Sequence, residues 1–470
     1  MATAKKINKD NILAIVLMAG KGTRMRSDSP KVLHKILGKP MGFYVINALE
    51  KSGVKNRLVV TGFGADDVKK AFCKEKCILQ DPQLGTGHAV IVALKSVLKN
   101  FTHLLVVNGD TPLLTPDAVK SVIGLMSREN CKAVVSCDWS ADPQRLGRIV
   151  TDDKGDFVAI RETSDLKPGE ENIEWVNVGL YGFEKQSLEK YLKKITPKNK
   201  QHEFYLTDIF GMMVSDKQRV EVYEAEDDSF VVMPNTRSDV ADASAYLQYR
   251  ILEDHMNKGI TINDPRRTYI EPDVKIGRDT IIHADSYIAG STSIGKNSEI
   301  GPMVTICDSE IGDNVKIRIS AIEDSKIDSE CVVGPFSHIR PGVHLKKGAK
   351  VGNFVEIKKS VIGEGSKVNH LSYIGDATLG KVVNIGAGTI TCNFDGTKKH
   401  KTFIGDGAFI GSDSILVAPV RIGSGTLTGA GSVITRDIPA GKVAMGVPAR
   451  VVRTVDVRSN MDKKRKSDKV

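Results

Sequence analysis

From Ile270 onward the chain repeats every six residues, and few folds accept such a period. A branched aliphatic residue followed by glycine recurs at Ile276-Gly277, Ile294-Gly295, Ile300-Gly301, Ile311-Gly312, Val333-Gly334, Val351-Gly352, Ile362-Gly363 and on to Ile422-Gly423. Ile339, Leu345, Val351 and Ile357 keep the phase, as do Ile404, Ile410, Leu416 and Ile422. A hexapeptide period predicts a parallel β-helix of triangular coils with three six-residue sides. The aliphatic residue points inward on each side and small residues turn the corners. One coil cannot bury its own faces, so stacked coils share a continuous core. The period slips near 307–325 and near 392–402. Slips predict loops leaving the coil, where function often sits.

The first half has a different texture. Residues 11–235 alternate buried strands (Leu13–Leu17, Arg57–Thr61, His103–Val107, Ala133–Cys137, Val176–Gly182) with amphipathic stretches such as Gly87–Lys99 and Pro116–Ser127. That alternation predicts an α/β, Rossmann-like domain: a mostly parallel sheet covered by helices, with ligands bound beyond the carboxyl ends of its strands. Ser238–His255 contains neither Gly nor Pro and has a helical pattern, which Asp264-Pro265 ends. The expected organisation is an α/β domain over 1–235, a linker helix over 236–262, a parallel β-helix over 263–452 and a basic tail over 453–470. Lys5, Lys6 and Lys9 before Ile12–Ala19 imitate a secretory signal, but a basic glycine loop follows instead of a cleavage pattern, so a buried first strand is expected.

A net charge of +10 raises nucleic-acid binding as a possibility. The excess lies mostly on the ends: Val451–Val470 carries seven basic and three acidic residues. Tails of that kind are usually solvated, so neither nucleic acid nor membrane is expected as a partner. Lys463-Lys464-Arg465-Lys466 resembles a targeting patch, and the plain tail is the favoured reading. Seven scattered Cys without zinc spacing fit reduced thiols in the cytoplasm. Cys73 and Cys77, four apart, make only a weak metal pair on a helical face.

The chemistry-bearing motif of the first half is Leu17-Met-Ala-Gly20-Lys-Gly22-Thr-Arg24-Met, then Pro30-Lys31. Gly20 and Gly22 let backbone N–H groups approach phosphate oxygens, and Arg24 and Lys31 add positive charge. The spacing is not that of a Walker A loop. Gln80 with Gly85-Thr86 suits a pyrimidine edge. Asn108-Gly109-Asp110 ends an apolar run, placing a carboxylate where it can hold Mg²⁺ against phosphates, and Asn235 could add a second oxygen. Taken singly, Asp110 could equally be a helix cap and Asn235 a turn residue. In the second half, His370 interrupts the repeat with a residue suited to proton abstraction from an amine. Arg340, Glu356 and Lys358 lie one or two coils before it, Asn384 and Asn393-Phe394 one or two coils after. Arg340 and Lys358 suit a sugar phosphate, and Glu356 is the expected group for orienting His370.

Across residues 12–450 these motifs resemble the family of bifunctional bacterial N-acetylglucosamine-1-phosphate uridylyltransferases / glucosamine-1-phosphate N-acetyltransferases. The resemblance implies acetylation of glucosamine-1-phosphate from acetyl-CoA. Transfer of UMP from UTP then gives UDP-N-acetylglucosamine, for cell-wall and lipopolysaccharide precursors. It implies that Arg24 and Lys31 act on the triphosphate, that Gln80, Gly85 and Thr86 bind uracil, and that Asp110 and Asn235 hold Mg²⁺. Leu17, Gly20, Gly22, Asn108 and Gly109 complete the nucleotide site; Gly147, Glu162 and Asn177 contact the sugar. In the second half it implies His370 as base, Arg340, Lys358, Tyr373 and Asn384 as binders of the amino sugar, and Ala387, Asn393, Phe394, Ser412 and Ala430 as acetyl-CoA contacts. Val447 stands where the family often has Arg, and Arg450 is expected to serve the CoA phosphates instead. Asn108 replaces a usual aromatic residue, Val178 a usual Thr and Phe394 a usual Tyr. A homotrimer is implied, with the acetyl site between subunits. The competing expectations are uridylyl transfer alone with the coil as scaffold, and a non-enzymatic exchange-factor-like subunit. Arg24, Lys31 and Asp110 speak against the latter; Arg340, Lys358, His370, Tyr373 and Asn384 speak against the former.

Overall fold

The computed structural model describes residues 7–97, 101–143, 146–225 and 232–455. Lys5, Lys6 and the Lys463–Lys466 cluster lie outside them. The chain divides into two compact units, Met1–Leu247 and Gln248–Val470, the division falling inside the helix Arg237–Asn257.

The first unit is built on β1 (Ile12–Met18), β2 (Asn56–Thr61), β3 (Lys76–Leu79), β4 (His103–Asn108), β5 (Cys131–Trp139), β6 (Arg148–Thr151), β7 (Phe157–Arg161), β8 (Trp175–Glu184) and β9 (Arg219–Glu224). The sheet order is β9-β5-β8-β4-β1-β2-β3, with β6 pairing β8 and β7. The signal-like apolar run is β1, the buried strand between β4 and β2. Its near-continuous Ile, Leu and Val suit a strand covered on both faces by helices such as Met41–Lys51, Thr86–Lys95 and Pro116–Met126. The main path of the sheet is parallel except at β8, which runs antiparallel to both β4 and β5, and the side pair β6-β7 is antiparallel as well. Periodicity reports burial and not direction, so this reversal had no mark in the sequence. It matters for the site: the start of β8 extends past the carboxyl end of β4.

The second unit is a left-handed parallel β-helix whose three faces are sheets of twelve, ten and nine strands. Ile276 lies beside Ile294 and Ile282 beside Ile300, one coil of eighteen residues on. The inward aliphatic residues form one continuous core from Leu252 to Ala444. The two slips of the period have different causes. Near 307–325 no loop leaves the coil, contrary to expectation. Ile306 pairs with Ile322 and Ile311 with Ile327, sixteen residues apart, so the corners are shortened by deletion. Near 392–402 the coil lengthens: Leu379 pairs with Ile404 and Ile385 with Ile410, twenty-five residues apart, and a hairpin projects between Asn393 and His400.

Candidate active sites

In the first unit, the loop after β1 and the turn after β4 meet. Leu17 pairs with Asn108, and the Leu17 carbonyl accepts from Gly109 N–H at 2.8 Å, locking the two strand ends together. Gly22 has φ +65°, and a Cβ there would stand 2.6 Å from Lys31 Cβ, so only glycine lets the loop close over that lysine. Around Gly20 the space is open. Lys31 is 7% exposed and pairs with the Asp110 carboxylate; its Nζ also donates to Asn235 Oδ1 at 2.7 Å, which accepts from Arg24 at 3.0 Å. Asn235 is held from behind: the Asp239 carboxylate accepts from the N–H groups of Asn235 and Thr236, at 2.7 and 2.8 Å, at the start of the helix Arg237–Asn257. Arg24, Lys31, Asp110 and Asn235, separated by up to 211 residues of sequence, thus form one cluster.

The cluster opens on a cleft of about 210 Å³ lined by Arg24, Thr86, Asn108, Asp110, Gly147, Glu162, Asn177 and Asn235, together with Leu146, Tyr181, Thr207 and Met233. The Glu162 carboxyl is pushed above its ordinary pKa by burial, against the opposing hydrogen bond from Thr207 at 2.8 Å. Gly147 supports Asn177, whose N–H donates to the Gly147 carbonyl at 2.8 Å. Asn108 packs over Gly179, which has φ +72° and no room for a Cβ. Gln80 holds the loop beside the cleft. It is buried, outside the cleft lining, and its Nε2 lies 3.0 Å from the Gly85 carbonyl and 3.2 Å from the His88 ring. Its amide donor is spent on shaping the loop that carries Gly85 and Thr86. Thr86 Oγ1 accepts from Leu206 N–H at 3.0 Å. Tyr181 and Thr207 were missed by sequence reasoning; nothing in a buried strand marks one tyrosine as facing a ligand.

Asp110 and Asn235 present a carboxylate and an amide oxygen to one point, occupied by the Lys31 ammonium as a stand-in cation. Hard oxygen donors of this kind fit Mg²⁺, which typically takes one or two protein ligands and fills its shell with phosphate and water. No cluster of three or more His, Cys, Asp or Glu suited to a metal occurs among the described residues. Cys73 and Cys77 do not share a helical face: Cys73 lies beyond the helix Ala65–Ala71, and Cys77 lies in β3.

In the second unit, Glu356 pairs across the sheet with His338 on one side and Tyr373 on the other. Glu356 does not orient His370. Its Oε1 accepts from Arg340 at 2.6 Å, and the exposed His370 ring has no hydrogen bond among the described residues. His370 closes its strand beside Asn353, and Asn384 stands one coil after Lys367. Lys358 is pulled below the ordinary lysine pKa, first by the neighbouring Lys399 ammonium and then by Arg340. Three cations converge there with one carboxylate among them, an arrangement suited to a dianion. Lys399 was not foreseen because it sits on the projecting hairpin, where the repeat gives no register. The Asp395 carboxylate fixes that hairpin: it accepts from the N–H groups of Thr397 and Lys398, both at 2.7 Å, and meets His400 Nε2 at 2.6 Å. Asn393 is anchored to Asp376 at 2.5 Å, while Phe394 is exposed. Ala387, Ser412 and Ala430 follow one another along a corner: Asp413 N–H donates to the Ala387 carbonyl at 2.6 Å, and Gly431 N–H to that of Ser412 at 2.8 Å. Arg450 is exposed on the closing hairpin opposite Met445.

Comparison with known proteins agrees with both halves. The MobA-like NTP transferase domain matches residues 14–161, and the bacterial transferase hexapeptide family matches residues 273–308 and 401–436. The bifunctional protein GlmU of Heliobacterium modesticaldum is 46% identical over 433 residues, 92% of this chain and 94% of the relative. The chain belongs to the GlmU family. GlmU of Thermotoga maritima is 45% identical over 94% of this chain and 97% of its own, and GlmU of Brevibacillus brevis 40% identical over 97% and 99%. Membership of the GlmU family spans both units, so neither the sheet domain nor the coil is an addition peculiar to this chain.

Proposed function

We propose that this GlmU-family enzyme acetylates glucosamine-1-phosphate and then uridylylates the product, one reaction in each unit. The reading is carried by two different anion-handling clusters in one chain: Arg24, Lys31, Asp110 and Asn235 in the first, and Arg340, Lys358 and Lys399 near His370 in the second.

In the first site an oxygen of the sugar phosphate attacks the α-phosphorus of UTP, and the bond to pyrophosphate breaks. The nucleophile is already anionic and needs no base. Arg24 and Lys31 screen the repulsion between anions and hold the leaving pyrophosphate. Mg²⁺ held by Asp110 and Asn235 would supply further charge stabilisation on the phosphate oxygens. In the second site Arg340, Lys358 and Lys399 hold the sugar phosphate. His370 takes a proton from the amine as nitrogen bonds the acetyl carbon, and CoA leaves as the thiol once that proton is passed on. Incubation with glucosamine-1-phosphate, acetyl-CoA, UTP and Mg²⁺ releases both CoA thiol and pyrophosphate; release of only one contradicts the reading.

Removing Lys399 isolates the hairpin's share. Lys399→Ala is expected to raise KM for glucosamine-1-phosphate roughly tenfold, the worth of one charge-assisted hydrogen bond, with KM for acetyl-CoA little changed. Initial-rate kinetics with thiol detection check it.

A trimer through the coil is supported by one edge of the helix. Met303, Phe336, Phe354 and Leu371 occupy a corner at φ +51°, +58°, +57° and +48°, and all four are more than half exposed. The Phe336 and Phe354 rings stack 5.2 Å apart. Large apolar residues in the left-handed region cost about 1 kcal/mol or more each, which contact between subunits can offset. The ridge adjoins His370, so such contact would also wall the acetyl site. Replacing Phe336 and Phe354 together by Asp is expected to give monomers by light scattering and to cost acetyl transfer while uridylyl transfer persists. A trimer that survives the double change contradicts this surface.

No helix among the described residues is long and apolar enough to cross a membrane, and all seven cysteines are free. Free thiols, UTP and acetyl-CoA fit a cytoplasmic setting.

A further inference from the structure

Tyr181 holds a proton that no described residue accepts. Its side chain, on β8, is 3% exposed, yet it lines the first cleft. Asn177 Nδ2 donates to Tyr181 Oη at 2.7 Å. The orientation of that amide is fixed from its other side, because Gly179 N–H can only donate and reaches Asn177 Oδ1 at 3.3 Å. The phenol oxygen is therefore the acceptor in its bond with Asn177, and its own hydrogen is left for another partner. Burial, with the Glu162 carboxylate next in effect, pushes the phenol well above its ordinary pKa, so it remains a donor at neutral pH. Buried donors are rarely left unmatched in a folded protein, and one that faces a ligand cleft is matched by ligand.

We infer that the Tyr181 hydroxyl donates a hydrogen bond to a neutral oxygen of the sugar phosphate in the uridylyl-transfer site. Phosphate oxygens have their cations elsewhere, at Arg24 and Lys31, whereas Tyr181 sits with Asn177 and near Glu162. A donor in that place also discriminates. It is satisfied by a hydroxyl or an acetamido carbonyl and finds no lone pair on the ammonium of an unacetylated amino sugar. Unmatched buried donors are the strongest means a site has of rejecting an analogue.

The inference rests on the cleft being the uridylyl-transfer site, which pyrophosphate release by the unaltered chain tests separately. In the full-length enzyme, Tyr181→Phe is expected to raise KM for N-acetylglucosamine-1-phosphate roughly tenfold while KM for UTP and kcat stay near their original values. Repeating the comparison with glucose-1-phosphate locates the acceptor: a loss confined to the acetamido sugar assigns the carbonyl, and a loss shared by both assigns a hydroxyl. A structural role, in which Tyr181 merely props Asn177, lowers kcat or raises both KM values alike. That result, or no change, overturns the inference. If the variant proves unstable by thermal melting, deoxy analogues and an analogue lacking the acetamido group, assayed on the unaltered enzyme, take its place. At least one must lose about tenfold in kcat/KM, and loss by none overturns it.

Discussion

Asp110→Ala is expected to lower uridylyl transfer by at least about a hundredfold and to leave acetyl transfer at its original rate. The size follows from what the carboxylate does. It is the only full negative charge in the cluster with Arg24, Lys31 and Asn235, pairing with Lys31 and offering oxygen to a divalent cation. If Asp110 holds Mg²⁺ as proposed, losing it removes a ligand worth several kcal/mol of charge stabilisation, and each ~1.4 kcal/mol is a factor of ten in rate. It also releases Lys31 from the position it holds. The acetyl site shares none of these groups, so acetyl transfer reports that the coil is intact. Pyrophosphate detection and thiol detection on the same preparation read the two outcomes. Raising Mg²⁺ recovers part of the activity in Asp110→Asn, where one oxygen ligand remains, and none in Asp110→Ala.

His370→Ala is expected to have the opposite effect: acetyl transfer falls by about 10²- to 10⁴-fold, the usual contribution of a positioned base, and uridylyl transfer is unchanged. Among the described residues none is placed to share the proposed proton transfer, because Glu356 is committed to Arg340 and the His370 ring has no hydrogen bond. The same exposed setting leaves the ring accessible to the amine. His370→Gln keeps polar contacts but cannot take a proton, so it is as inactive as the Ala variant. Raising the pH, which deprotonates the amine in solution, recovers activity in both variants in proportion to free amine. A variant that retains a tenth or more of the rate at neutral pH removes His370 from the role of base.

The coil was legible because its physics is one-dimensional. Each inward aliphatic residue needs a partner one turn later, and that demand writes itself into the sequence as a period of six. The cluster at Asp110 was legible in part for another reason: strand ends in an α/β sheet are where ligands bind, and Gly20, Gly22 and Asp110 stand at such ends. What escaped is equally physical. Lys399 belongs to an insertion, outside the period, and only the register of Leu379 with Ile404 brings its hairpin out of the coil. Glu356 has Arg340 within reach on the same face, a pairing that spacing alone does not distinguish from one with His370. Gln80 was expected at uracil, and its bond to the Gly85 carbonyl, which braces the loop beside the cleft, had no mark in the sequence. Tyr181 looks like core in the sequence and is core by burial; its role depends on which way an asparagine amide is turned. The shortened coils near 307–325 produce the same break in phase as an extruded loop.

The central claim is that two independent sites share one polypeptide. Its most direct test mixes the two inactive variants, Asp110→Ala and His370→Ala, with glucosamine-1-phosphate, acetyl-CoA, UTP and Mg²⁺, and follows UDP-N-acetylglucosamine by phosphorus NMR. Neither variant alone forms it. The mixture does, because acetylated sugar phosphate made by the first diffuses to the second. A mixture that stays inactive, although each variant keeps its one remaining activity, would contradict independent sites; loss of both activities in either single variant, folded and trimeric, would contradict the division of labour itself.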